Sequence, residues 1–81
     1  MIPKVVSAEY IEDYVINIKF SDGTEGHVGF EGELYGELFE PLKDISFFKN
    51  FAVHPDFHTL YWPNGADFAP EYLYEKVKLT V

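Results

Sequence analysis

Between Tyr14 and Phe20 the chain alternates. Tyr14, Ile16, Ile18 and Phe20 are apolar or aromatic, and Val15, Asn17 and Lys19 stand between them. A repeat of two puts alternate side chains on opposite faces of extended backbone, so this segment predicts a half-buried β-strand. Ser21-Asp22-Gly23 is a turn signal, after which Glu25 to Phe30 resumes in extended form. Loop length decides the register. A two-residue Asp22-Gly23 loop would place Glu25 and His27 on the face of Ile18 and Phe20. A three-residue loop instead sets Ile18 beside Gly26, Ile16 beside Val28 and Tyr14 beside Phe30, and leaves Lys19 opposite Glu25 and Asn17 opposite His27 on the wet face. Because a slip of one residue inverts every side chain, the longer loop is the one predicted. It requires a type I turn followed by Gly23 in the left-handed region.

The remaining pattern is less regular. Pro3 to Tyr10 reads as a first strand around Val5 and Val6, closed by the polar pair Glu12-Asp13. Leu34, Tyr35 and Leu38 have helical spacing, with Glu33, Glu37 and Glu40 opposite, and Gly36 and Pro41 hold that helix, over Glu33 to Phe39, to a turn or two. Asp44 can cap a second short helix from about Ile45 to Asn50. A hairpin follows from Phe51-Ala52-Val53 to Thr59-Leu60-Tyr61-Trp62, with residues 54–58 as its loop. Pro63-Asn64-Gly65 is a further turn signal. Pro70 suits the first position of a helix reaching about Glu75, and Val77, Leu79 and Val81 alternate as in a closing strand over Lys76 to Val81. The expected fold class is α+β: a small antiparallel sheet of about five strands built from hairpins, with two or three short helices packed on it. The chain reads as a single domain over residues 1–81, without a linker or a DNA-binding domain.

Charge narrows the function. Six Lys, no Arg and fourteen carboxylates give a net charge of −8. Such a chain lacks the basic face that neutralises phosphates and the Arg that reads guanine, so direct nucleic-acid binding is not expected. An anionic membrane surface is disfavoured for the same reason, and no apolar run is long enough to span a bilayer. An acidic surface steers basic partners toward itself. Cysteine is absent, which removes disulfides and thiolate metal sites. With no secretory signal pattern, the expected location is cytoplasmic.

Candidate chemistry is sparse. His54 and His58 bracket Asp56, but Pro55 and the flanking strands make the segment a loop, and zinc needs three or four supported ligands. The Glu33, Glu37 and Glu40 stripe reads as a solvated face rather than a cation site. No Gly-x-Ser-x-Gly elbow or phosphate loop occurs. A hydrolase would have to use His27 with Asp22 or Asp67, on a domain too small for a deep cleft. The expectation is therefore no enzyme, no cofactor and no metal. The most distinctive segment is Trp62-Pro63-Asn64-Gly65-Ala66-Asp67. It supports two readings. One is a tight turn in which Asp67 bonds loop amides or caps the next helix while Trp62 packs on that helix. The other is a Trp and an Asp presented to a partner. Aromatic residues make up 19% of the chain, more than so small a domain readily buries, and Tyr61, Trp62, Tyr72 and Tyr74 are expected near one another. The binding candidates are Trp62, Asn64, Asp67 and Tyr72.

The run Tyr14-Val15-Ile16-Asn17-Ile18-Lys19-Phe20-Ser21-Asp22-Gly23 resembles the first hairpin of the bacterial family called domain of unknown function 2442. Pro41-Leu42-Lys43-Asp44 with Phe48, Phe51-Ala52-Val53-His54, Leu60 through Asp67, and Pro70-Glu71-Tyr72-Leu73-Tyr74 extend the resemblance over about Val5 to Glu75. The resemblance implies a small α+β domain with no established activity. Some longer relatives carry a helix-turn-helix domain, and stand-alone members are often encoded beside small toxin-like proteins. It thus implies an interaction role of antitoxin type, with a protein partner that the charge suggests is basic. Homo-oligomerisation stays open, as does the alternative of a small-molecule-sensing regulatory domain with a pocket beside Trp62.

Overall fold

A computed structural model describes residues 3–79. Among these the elements run β1 (Val5–Glu12), β2 (Val15–Phe20), β3 (Glu25–Gly29), a 3₁₀ turn (Glu40–Lys43), α1 (Ile45–Phe48), β4 (Ala52–Val53), β5 (Leu60–Tyr61) and α2 (Pro70–Leu79). The fold is α+β with antiparallel sheets, as expected. The single sheet of about five strands is instead two, ordered β1-β2-β3 and β4-β5. The second pairs only Ala52 with Tyr61 and Val53 with Leu60. It joins the first through the Val5 N–H, which donates to the His58 carbonyl at 3.0 Å. His58 has a left-handed φ of 53°, so β1 meets the bend of the 54–58 loop rather than a straight strand with which to ladder.

The β2–β3 hairpin adopts the register that alternation demands. Ile16 faces Val28, Ile18 faces Gly26, Asn17 faces His27 and Lys19 faces Glu25. Gly23 sits at φ +92°. The Phe20 N–H donates to the Thr24 carbonyl at 2.8 Å, and the Gly23 N–H to the Phe20 carbonyl at 3.0 Å. The Trp62–Ala66 turn repeats this wiring: Trp62 N–H to the Ala66 carbonyl at 2.8 Å, Gly65 N–H to the Trp62 carbonyl at 2.9 Å, with Gly65 at φ +91°. Type I turns closed by a left-handed glycine match the strand twist in both places.

Two expected elements differ. Residues 33–39 form no helix. Gly36 takes φ +93°, outside helical backbone, and its carbonyl accepts from both Phe39 and Glu40 to start a compact turn. Only Leu34 of the expected apolar stripe is buried; Tyr35 and Leu38 are exposed. At the other end, α2 does not stop near Glu75 but runs to Leu79, replacing the closing strand as far as the described residues reach; Thr80 and Val81 lie outside them. Leu73 and Val77, four apart, are both fully buried, and no Gly or Pro interrupts the helix after Pro70. Lys76 and Lys78 fall in the last turn, where cations favour helix over strand.

One core gathers Val5, Ile16, Ile18, Phe20 and Val28 from the first sheet, and Phe30 just after it, against Leu42, Phe48, Leu60, Trp62, Leu73 and Val77. α1 is capped as expected, with the Asp44 carboxylate accepting from the Ser46 N–H at 3.0 Å. This places Phe48 at the centre of the core, where its ring meets Tyr10, Tyr14, Phe30 and Trp62.

Candidate functional site

The four binding candidates separate in space. Trp62 is 1% exposed. Its ring packs on Phe48, Phe51 and Phe68, and Nε1–H donates to the Phe48 carbonyl at 2.8 Å. It is therefore not presented to a partner. Its ring partners lie in α1, the segment after it and the approach to α2, not in α2 itself. An indole that finds an acceptor inside the core is fully satisfied there, and this one ties α1 to the end of β5. Asn64 is exposed, yet both ends of its amide are engaged. Nδ2–H donates to the Leu38 carbonyl at 2.8 Å, and Oδ1 accepts from the Ala66 N–H at 3.1 Å. Its work is to pin the 36–39 turn against the 62–66 turn.

Asp67 and Tyr72 come together at the surface. Asp67 pairs through its backbone with Tyr61, which turns its side chain outward. Among the described residues nothing hydrogen-bonds its carboxylate, so neither of the internal roles expected for it is realised. Tyr72 is 36% exposed and stacks on Phe68, with centroids 5.5 Å apart and planes at 10°. Phe68 also meets Phe30, Phe39 and Trp62, so a continuous aromatic path runs from core to surface. Asp67 and Tyr72, with Glu33, Tyr35, Phe39 and Phe68, line a shallow hollow of about 360 Å³. A second hollow of about 310 Å³ lies on the other side of Tyr35, between Tyr14, Leu34, Glu31 and Lys43. Tyr35, 70% exposed, is the wall between them.

The loop that carries Tyr35 is held at several points. Leu34 is buried in the core. The Glu33 N–H donates to the Phe30 carbonyl at 2.9 Å. Phe39 lies on Phe68 with centroids 4.9 Å apart, and Asn64 holds Leu38. Exposure of Tyr35 is thus fixed by its neighbours rather than by a loose chain. On the same rim Lys76 Nζ sits 2.6 Å from Glu33 Oε1 and 5.5 Å from the Tyr72 ring centroid. The Lys76 hydrogen bond, joined by that of Tyr72, holds the Glu33 carboxyl below the usual carboxylate range. The same contact with Glu33 raises Lys76. Burial, with Glu33 adding to it, pushes the Tyr72 phenol up. A cation between a carboxylate and an aromatic face is therefore already built into this rim.

Other candidates lie elsewhere. The expected cluster of Tyr61, Trp62, Tyr72 and Tyr74 is dispersed: Tyr61 meets His54 at 4.8 Å, and Tyr74 meets Phe20 at 5.0 Å. The Tyr74 hydroxyl donates to Asp22 at 2.7 Å and holds the Asp22 carboxyl below its usual range, helped by the Thr24 N–H. His27 stands on the wet face of β3 opposite Asn17 and lines neither hollow. His54 Nδ1 accepts from the N–H groups of Asp56 and Phe57, each at 3.1 Å, which orders its loop. Among the described residues no group of three or more His, Asp or Glu is placed to hold a metal ion, and no helix is long and apolar enough to cross a membrane. Sequence reasoning missed Tyr35, Phe39 and Phe68. Gly32 and Gly36, which bracket Tyr35, were the available signal that the segment is not helical.

Fold and site define a small α+β domain whose surface feature is an acidic, aromatic groove divided by Tyr35. Residues 5–78 match the family described as protein of unknown function (DUF2442), and the chain belongs to that family. No curated protein and no solved structure matches the chain.

Proposed function

We propose that this protein is a cytoplasmic, non-enzymatic interaction module that docks a basic protein partner, in an antitoxin-like role, through the groove around Tyr35. The observation that carries the reading is the exposed, pinned Tyr35 with the unengaged Asp67 carboxylate beside it. A large aromatic held at the surface by several anchors offers pre-ordered area for burial against a partner, and Tyr is enriched at protein interfaces. The net charge of −8 favours a basic partner by steering. The family resemblance adds toxin-like neighbours as the class of partner. Sensing of a small molecule remains the alternative. It would use the hollow between Tyr14 and Leu34, since Trp62 is enclosed.

The test is affinity capture from the native cell, with mass-spectrometric identification, followed by reconstitution with the purified partner. The expected result is a complex with a basic protein whose association slows as salt rises. An affinity indifferent to ionic strength would remove the electrostatic part of the reading. Thermal stabilisation by a metabolite, with no protein partner, would favour the sensor instead.

A further inference from the structure

The two hollows beside Tyr35 differ in chemistry, and that difference specifies what they take. We propose, resting on the interaction reading above, that the groove binds an extended segment of the partner through two side chains at once. An arginine or lysine enters the Asp67 hollow, and an apolar side chain enters the Tyr14–Leu34 hollow, with Tyr35 between them.

The Asp67 hollow is acidic and aromatic. Glu33 and Asp67 supply carboxylates, and Tyr35, Phe39, Phe68 and Tyr72 supply rings. Lys76 neutralises Glu33 at 2.6 Å, which leaves the exposed Asp67 carboxylate without a counter-charge. Lys76, held by Glu33 and lying over the Tyr72 ring, already shows on this rim the arrangement that an incoming cation would repeat at Asp67, a carboxylate beside aromatic rings. Guanidinium stacks on such faces and pairs with carboxylate, so arginine fits better than lysine. The other hollow is lined by one carboxylate and one ammonium, Glu31 and Lys43, the latter paired with Glu40 at 3.2 Å, around the Tyr14 ring and Leu34. That lining favours an apolar occupant.

Both hollows border Tyr35, so one segment can fill both. In extended backbone, side chains at alternate positions share a face and are spaced about 7 Å apart. The two anchors are then an even number of residues apart in the partner's sequence.

The test uses an array of random short peptides probed with the full chain and with its Asp67→Asn and Tyr35→Ala variants. Peptides bound by the natural chain should be enriched in Arg or Lys at that spacing from a large apolar residue. Asp67→Asn should weaken the basic-containing peptides about tenfold and leave the apolar preference intact. Tyr35→Ala should weaken both preferences together. Both residues are exposed, and unchanged thermal unfolding of the variants confirms that the fold is intact. No enrichment, or binding that both variants retain in full, overturns the inference. If the natural partner binds both variants as well as the unchanged chain, the groove is not the docking surface, while the module reading stands on another surface such as the open edge of β3. If no protein partner forms a complex but the peptides still bind as described, the module reading fails and the groove chemistry survives.

Discussion

Replacing Trp62 by Phe tests whether the indole is a structural tie or a binding group. The substitution removes the hydrogen bond from Nε1–H to the Phe48 carbonyl at 2.8 Å inside a site that is 1% exposed. A buried acceptor left without its donor costs about 1–3 kcal/mol. The smaller ring also vacates roughly 40 Å³ among Phe48, Phe51 and Phe68, which at about 24 cal/mol per Å³ adds about 1 kcal/mol. The expected loss is therefore about 2–4 kcal/mol, a large share of the roughly 4–12 kcal/mol that holds a domain of this size. At about 4–8 °C per kcal/mol, the unfolding midpoint should fall by about 8–32 °C. Because Trp62 is the sole tryptophan, unfolding is followed by far-ultraviolet circular dichroism in heat and in urea. Tyr35→Ala is the control: Tyr35 is 70% exposed, and its loss should change stability by no more than about 0.5 kcal/mol. A Trp62→Phe loss below about 1 kcal/mol would refute the structural role. So would a Trp62→Phe variant of unchanged stability that no longer binds its partner.

The other predictions concern turns and charges. Gly23→Ala should destabilise by about 1–2 kcal/mol, because φ is +92° while a Cβ there would meet nothing within 4 Å, so the cost is backbone strain alone. Gly29→Ala has the same open space without the left-handed φ and should be close to neutral in the same urea titration; equal losses at both positions would contradict the turn assignment. Asn64→Ala removes the bonds to Leu38 and Ala66 and should cost about 1–2 kcal/mol, with faster hydrogen exchange at the Ala66 amide as the local readout. Asp22 is held below its ordinary value of 3.8 chiefly by Tyr74. Its contribution to stability is therefore fully present above that value and is lost as pH falls through the lowered folded-state pKa. Tyr74→Phe keeps the ring on Phe20 but removes the hydroxyl, so the variant should be less stable at neutral pH, with the gap narrowing as pH falls below 3.8. A gap independent of pH would show that Asp22 is not the linked group.

Much of the backbone was legible in the sequence because its causes are local. Alternation from Tyr14 to Phe20 allowed only one register with β3, and the glycine after Ser21-Asp22 fitted the turn that register needs. Asp44 before Ile45 marked the start of α1 through its side-chain acceptor. Pro63-Asn64-Gly65 marked a turn for the same reason as Asp22-Gly23. In each case sterics and hydrogen bonds within a few residues settle the conformation. The reading failed where local signals compete. Leu34, Tyr35 and Leu38 have helical spacing, yet Gly36 at φ +93° breaks the turn they would share. Val77, Leu79 and Val81 alternate like a strand, yet Leu73 and Val77 bury together on one helix face.

Which aromatic side chains are covered was a different kind of question. Trp62 and Tyr35 are both large, and nothing in the few residues beside either one says which faces water. Trp62 is enclosed because α1, β5 and the approach to α2 converge on it, and because the Phe48 carbonyl lies where Nε1–H can reach it. Tyr35 is exposed because its loop neighbours are held by elements distant in sequence: Leu34 by the core, Leu38 by the Asn64 amide and Phe39 by the Phe68 ring. The chain by itself determined the hairpins, the cap, the acidity and the family; the packing of those elements against each other decided which polar and aromatic groups remain at the surface. Burial depends on which segments arrive together, and that is set by the whole core rather than by any stretch of sequence read alone.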